Sequence, residues 1–359
     1  MTTQPETTPS TTAFRAIEKG GPRFARLRGS IQQLLAGVSL VLILIFFSIA
    51  SPVFFTANNL LSILVAATTT GILALGTTFV IITGGIDLSV GAIASLVGIA
   101  SSTLMVNHGF SPFLGLVAGL VLGVVCGAIN GLLITKLRLP PFIATLGTMS
   151  VFQGCAYVAT NGKPVYDVPK DFVLMLNSYV HGIPVVVIIV AVVGIGAGLL
   201  LRKTVFGQNV IAVGGSEETA WLSGVRVHRV KITVYCIAGG LCALAGLVIV
   251  ARINAAQPDA GAPYQLTAIA AAVIGGANLM GGEGRIAGTL VGAVILGALT
   301  NGLVLLNVPS FYEQIVTGLV VLIAVSLDQG SKGWPMLKKL SKKDHTAAPS
   351  APSTTTVDA

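Results

Sequence analysis

Ten apolar runs, each near the roughly 20 residues that an α-helix needs to cross a bilayer, occupy most of this chain. They lie at 31–50, 60–82, 88–106, 112–135, 142–160, 183–201, 231–251, 265–279, 286–306 and 311–327. Hydrocarbon offers no partner to a free backbone N–H or C=O, so such runs satisfy themselves as helices and the fold reads as all-α and polytopic. Composition agrees: 53% of the 359 residues are hydrophobic and 9% are charged, against about 25% charged in a soluble domain. The run at 265–279 is the shortest, and Gly84–Gly85 punctuates the join between the second and third runs. The segments 83–90 and 265–285 are therefore where a helix could be broken or re-entrant.

Placing the charge tests the span count. With an even number of spans and a cytoplasmic N-terminus, the inner segments hold Arg15, Lys19, Arg23, Arg26, Arg28, Lys136, Arg138, Arg202, Lys203, Arg226, Arg229, Lys231, Arg285, Lys332, Lys338, Lys339, Lys342 and Lys343. Only Lys163, Lys170 and Arg252, of 21 basic residues, fall outside. Cytoplasmic loops are enriched in Lys and Arg, and one dropped span would reverse every later loop. Both termini are thus expected in the cytoplasm. Ser48-Ile49-Ala50 could serve as a signal cleavage site, but the preceding basic region and apolar run are too long for a removed signal, so the first span reads as an anchor that stays. The chain divides into a disordered basic tail at 1–30, a membrane domain at 31–328 and a basic, then disordered tail at 329–359, the ends being Thr/Pro- and Ala/Pro/Ser/Thr-rich.

Several chemistries have nothing to stand on. There is no Gly-rich phosphate loop followed by Lys-Ser/Thr, no His-Glu-x-x-His and no pair of acids at metal-ligand spacing, so no metal or catalytic site is expected. The net charge of +8 sits in loops and tails, which excludes a nucleic-acid-binding face. Cys126, Cys155, Cys236 and Cys242 all lie in apolar runs and read as buried free thiols. Of thirteen acids none is placed at mid-span; Asp87, Glu313 and Asp328 stand at span ends, and Ser310 with Glu313 reads as a capping box. A carrier coupled to protons or ions would be expected to bury ionisable groups in its spans, so the energy for transport must come from another subunit, or the protein is a passive pore.

Gly115, Gly119, Gly123, Gly127 and Gly131, four apart, predict a packing seam on one helix face. The long inner loop at 202–230 carries local grammar of another kind. Ser216 suits an N-cap, Glu217 and Glu218 the first turn, and Gly224 a left-handed C-terminal cap. These bound a short helix outside the membrane, either docking a soluble partner or lying flat on the bilayer with Trp221 and Leu222 in it.

The loop at 206–231 (FGQNVIAVGGSEETAWLSGVRVHRVK) resembles the coupling loop of permeases from ATP-binding-cassette importers for monosaccharides, the ribose/xylose/galactose class. Further segments resemble that family in order: 85–91 (GIDLSVG), 142–148 (FIATLGT) with 160–164 (TNGKP), 256–261 (AQPDAG), 270–276 (AAAVIGG) through 281–290 (GGEGRIAGTL), and 301–307 (NGLVLLN). The likeness covers about 40–328 and is nearest to the ribose branch. It implies a type II-like permease half in a bacterial plasma membrane, paired with a second copy of itself. Its sugar would come from a periplasmic or lipid-tethered binding protein, and its energy from a cytoplasmic ATPase that holds ATP and Mg, this chain holding no cofactor. It also implies that Gly215, Ser216, Glu217, Glu218, Ala220, Leu222, Ser223 and Gly224 dock into the ATPase. Asp87, Asn130, Thr145, Thr148 and Asn301 are candidates for lining the path, with N-capping by Asp87 and interhelical hydrogen bonding by the others as the alternatives. Asn161, Lys163, Gln257 and Asp259 are candidates for meeting the binding protein. A stand-alone secondary carrier or channel is the competing function. Asn278 and Met280 depart from the family, standing where Ser or Thr is common.

Overall fold

The computed structural model describes residues 37–330. The expected tails fall outside the described residues, apart from 329 and 330. Thirteen helices are described: α1 (Gly37–Ala50), α2 (Ala57–Ile82), α3 (Val90–Asn107), α4 (Pro112–Thr135), α5 (Pro141–Thr160), α6 (Lys170–Asn177), α7 (Val185–Lys203), α8 (Val205–Gly215), α9 (Glu217–Leu222), α10 (Val227–Ile253), α11 (Ala262–Ile274), α12 (Ile286–Leu305) and α13 (Ser310–Gly330). The only sheet among the described residues is the hairpin β1 (Tyr179–Val180) and β2 (Ile183–Pro184). Each of the ten expected runs contains one helix. Seven helices are long and apolar enough to cross a membrane, while α11, at 13 residues, is a short one, as the sequence led us to expect for that run.

The loops sort onto two faces. Gly282 donates its amide to the carbonyl of Ile82 (2.9 Å), and Gly214 packs against both, which brings 83–89, 204–226 and 275–285 together. At the other end Val165 and Ala256 form an antiparallel bridge, and Asn177 Nδ2 donates to the Ala251 carbonyl (2.6 Å), joining 161–184 to 254–261. Alternating spans require this grouping.

The core sits where α2, α3 and α10 are enclosed by the others; Ile72, Leu73, Ile93, Val97, Leu247 and Val248 are wholly buried. The glycine stripe of α4 forms the expected seam. A Cβ at Gly123 would meet the Gly239 carbonyl at 2.5 Å, and one at Gly131 would meet the Ile232 Cα at 2.8 Å. Backbones that close contribute dispersion that lipid cannot replace. The thiol reading holds for Cys126 and Cys242, which are buried; Cys236 is half-buried, and Cys155 is exposed on α5, a correction that follows from the open outer face of that helix.

Two features lie beyond the sequence reading. The inner loop contains a second helix, α8, whose Val210 and Val213 are buried; Phe206, Val210 and Val213 repeat at helical spacing, and that signal was available. The outer segment folds as α6 followed by a hairpin whose two-residue turn, His181-Gly182, has both φ values positive, the geometry that matches strand twist in tight hairpins.

Candidate functional site

The short helix α9 is punctuated as the sequence predicted. Ser216 accepts the Thr219 amide through its side chain (3.2 Å), and Glu217 and Glu218 occupy the first turn. At the other end Gly224 has φ +85, its amide donates to Trp221, and the Val225 amide donates to Ala220. These are the two bonds of a Schellman cap. Six residues cannot hold a helix alone, so the caps and the mounting hold it. Ala220 is turned inward and buried, whereas Trp221 (67% exposed) and Leu222 (71%) project outward with Glu218 and Ser223. Seven of the eight expected docking residues are thus exposed. Glu217 pairs with Lys231 at the base of α10.

The mounting is made of backbone. A Cβ at Gly214 would collide with the Ile82 carbonyl oxygen and lie 2.5 Å from the Gly282 amide. A Cβ at Gly281 would lie 2.7 Å from the Gly214 carbonyl and 3.0 Å from the Gly84 amide. Gly281 and Gly282 adopt φ of +86 and +78, in a turn closed by Asn278, whose amide donates to Glu283 (3.0 Å). Met280 projects from that turn, 74% exposed. Three loops, from the ends of α2, α8 and α11, therefore interlock through their peptide planes at the residues that lead into α9. The sequence held one clue, the Gly-Gly doublets at 84–85, 214–215 and 281–282, but nothing in it said that they meet.

Behind this junction the segment 83–89 runs into the protein. Asp87 is 1% exposed and accepts from the amide (2.8 Å) and hydroxyl (2.6 Å) of Ser89. It forms a turn of the Asx type and not an N-cap, since the N-cap of α3 is Ser89 itself, with no side-chain bond. Asn130 Nδ2 donates to Ser89 Oγ (2.8 Å), and Thr148 donates to Asn130 Oδ1 (2.6 Å). Thr145 donates to the Ile86 carbonyl (3.0 Å). Four of the five residues proposed for the path thus form one hydrogen-bonded group on α4, α5 and the approach to α3. Asp87 ends a chain of donors, and among the described residues hydrogen bonds, with no ion pair, offset the burial of its carboxyl group. Tyr235, 1% exposed, points its hydroxyl at Gly85, where a Cβ would come within 2.8 Å, and that hydroxyl has no hydrogen-bond partner among the described residues. Ser89 and Tyr235 belong with this group and were missed.

Asn301 stands apart. Its amide exchanges two hydrogen bonds with that of Asn59 (2.9 and 3.0 Å), tying α12 to α2. Glu313 accepts from Thr300 (2.8 Å) and so ties α13 to α12.

On the opposite face, Asn161, Lys163, Gln257 and Asp259 are all exposed and flank the Val165–Ala256 bridge. Gln153 anchors this patch by donating to the Pro258 carbonyl (2.5 Å). The two candidate loops form one surface.

Residues 59–325 match the protein family described as branched-chain amino acid transport system / permease component. The chain is 47% identical over 306 residues to the ribose import permease protein RbsC of Bacillus subtilis, which covers 84% of this chain and 94% of that one. It is 39% identical over 290 residues to the D-allose transport system permease protein AlsC of Escherichia coli (80% and 89%). To the L-arabinose ABC transporter permease protein AraH of Azospirillum brasilense it is 37% identical over 309 residues (85% and 91%). No solved structure matches.

Proposed function

Because the chain belongs to the branched-chain amino acid transport system / permease component family, we propose that it forms half of a sugar path across a bacterial plasma membrane, driven by a separate ATPase. It is a permease of a sugar ABC importer, since its relatives at 37–47% identity carry ribose, allose and arabinose permease names. Ribose or a related sugar or polyol is the substrate, ribose being the sugar of the relative at 47%.

The observation that carries this reading is the mounting of α9 on the glycine junction. A helix held outside the membrane by its own caps is a handle for a soluble subunit. Displacing it moves the Gly214 peptide, which has no slack against Ile82 and Gly282. The motion reaches the segment 83–89 and the turn at 278–283, and the first of these carries Asp87 and Ser89 into the group with Asn130 and Thr148. Opening that group would expose hydroxyl, amide and carboxylate atoms to a passing sugar. Weak lining suits a permease whose sugar is selected by a periplasmic or lipid-tethered binding protein, for which the patch of Asn161, Lys163, Gln257 and Asp259 is the docking surface. ATP and Mg belong to the ATPase; this chain supplies no cofactor.

The proposed unit is a homodimer, and the distribution of basic residues supports cytoplasmic termini. The second copy is supported by α5, the least apolar of the seven long spans and yet among the three least buried. Gly147 and Gly154 leave open space on its outer face, a surface poorly suited to lipid and well suited to another helix or to water. The test is transport by the reconstituted permease, ATPase and binding protein. Glu218→Arg or Gly224→Val should insert normally, keep ATP hydrolysis and lose sugar uptake. Full uptake with either change would sink the assignment, as would micromolar sugar binding by the permease alone.

A further inference from the structure

A cleft of about 440 Å³ opens beside α9, lined by Phe206 and Asn209 of α8, Ser223 to Arg226 of the connecting turn, and Arg229, Val230 and Thr233 of α10. Arg226 and Arg229 are among its lining residues, and neither guanidinium has a hydrogen-bond or ion-pair partner among the described residues. The one ion pair of this region among the described residues is made by Lys231 with Glu217. At about 1.5 Å per residue the 27 residues of α10 span about 40 Å, more than the roughly 30 Å hydrocarbon core. One end therefore stands clear of the hydrocarbon, and the first turns, where Arg226, Arg229 and Lys231 cluster against Arg252 alone at the other end, are the part that charge places outside. Two exposed arginines converging on one concave surface, with Asn209, Ser223 and Thr233 as further polar walls, match a carboxylate, which guanidinium binds through paired N–H donors.

We infer that this cleft receives an acidic side chain of the partner ATPase, so that the joint between the two subunits is reciprocal. Trp221 and Leu222 of α9 enter the partner, and a carboxylate of the partner enters the Arg226–Arg229 cleft. This rests on the reading of α9 as the docking helix. The occupant is the partner because Ser223 and Gly224, part of the docking set, form the rim of the cleft, and a subunit seated on α9 covers it. An anionic lipid headgroup offers similar charge from the membrane side, and the experiment separates the two.

The permease is placed in nanodiscs of neutral phosphatidylcholine or of phosphatidylglycerol, and binding of the purified ATPase subunit is measured across a salt series. In neutral discs the wild type should bind, weakening as salt rises. Arg226→Glu with Arg229→Glu should weaken binding at least about tenfold and flatten the salt dependence, consistent with loss of complementary charge. Arg226→Gln with Arg229→Gln should fall between, and Arg202→Glu with Lys203→Glu, at the exposed end of α7, should match wild type. Thermal unfolding of each variant separates lost binding from lost fold. Among Asp/Glu→Lys changes on the ATPase, one should weaken wild-type binding and restore it to the double charge reversal. Wild-type affinity for the double reversal overturns the inference, as does a loss confined to phosphatidylglycerol discs, which assigns the cleft to a lipid headgroup. If the wild type binds no ATPase in either disc, the docking reading itself fails and the inference with it.

Discussion

The two ends of the helical body are fastened differently. On the face that carries α9, three loops meet through their main chains: Gly214 lies against the Ile82 carbonyl, Gly281 against Gly214 and Gly84, and Gly282 donates to Ile82. On the other face the described loops meet one another only through the two main-chain hydrogen bonds of the Val165–Ala256 bridge and through side chains, Asn177 reaching the Ala251 carbonyl and Gln153 that of Pro258, while Gly261 packs its main chain against Gly91 at the start of α3 and not against another loop. Side-chain ties can stretch or change rotamer. Interlocked peptides cannot yield without moving the segments that own them, so the first arrangement transmits displacement and the second tolerates it. The stiff end is the one where we place the motor, and the compliant end is the one where we place a binding protein that must come and go.

That contrast can be broken by experiment. Gly214→Ala should have the largest effect, because its Cβ overlaps backbone oxygen that no rotamer change can clear; overpacking of this kind costs about 1–3 kcal/mol or more. Reconstituted uptake should fall by at least about tenfold while ATP hydrolysis persists, and normal uptake would show that the junction is slack. Asn130→Leu comes next: it takes the amide partner from the buried hydroxyls of Ser89 and Thr148, of which Ser89 keeps its bond to Asp87, so the loss should be about 1–3 kcal/mol in all, read as a lower unfolding temperature in detergent. Asp87→Asn sharpens the comparison, since an amide oxygen can still accept both Ser89 donors. Stability should stay within about 1 kcal/mol of wild type, so a loss of uptake in that variant would point to the charge itself as part of the path. Asn177→Ala, at the compliant end, should cost about 1 kcal/mol and leave uptake nearly intact. The smallest effect is expected from bifunctional thiol reagents on Cys155, the exposed thiol of α5: they should link two copies with little change in fold, and strictly monomeric product after treatment would count against α5 facing a second copy.

The sequence spoke clearly where physics is local. A bilayer forces long apolar runs, so the spans could be placed without any tertiary information, and α11 was marked as short for the same reason. The caps of α9 could be read because Ser216 and Gly224 act on residues within a few positions of themselves. The joining of Asp87, Asn130 and Thr148 could not, because they come from three separate stretches of chain and polar residues in apolar spans have many potential partners. Likewise Asp87, at a span end in the sequence, is interior in the fold because the break at Gly84–Gly85 turns the chain back into the body. Arg226 and Arg229 counted only as topology markers until the fold set them in one cleft.

The glycine junction also has an evolutionary corollary. The amide pair of Asn59 and Asn301 is made by side chains, so a change at one selects for a compensating change at the other, and the two positions should drift together among related chains. A joint built from peptide planes has no side chain to exchange. Gly214, Gly281 and Gly282 can be kept or lost but not traded, and the linkage that matters most for coupling would leave no trace in any record of correlated substitution.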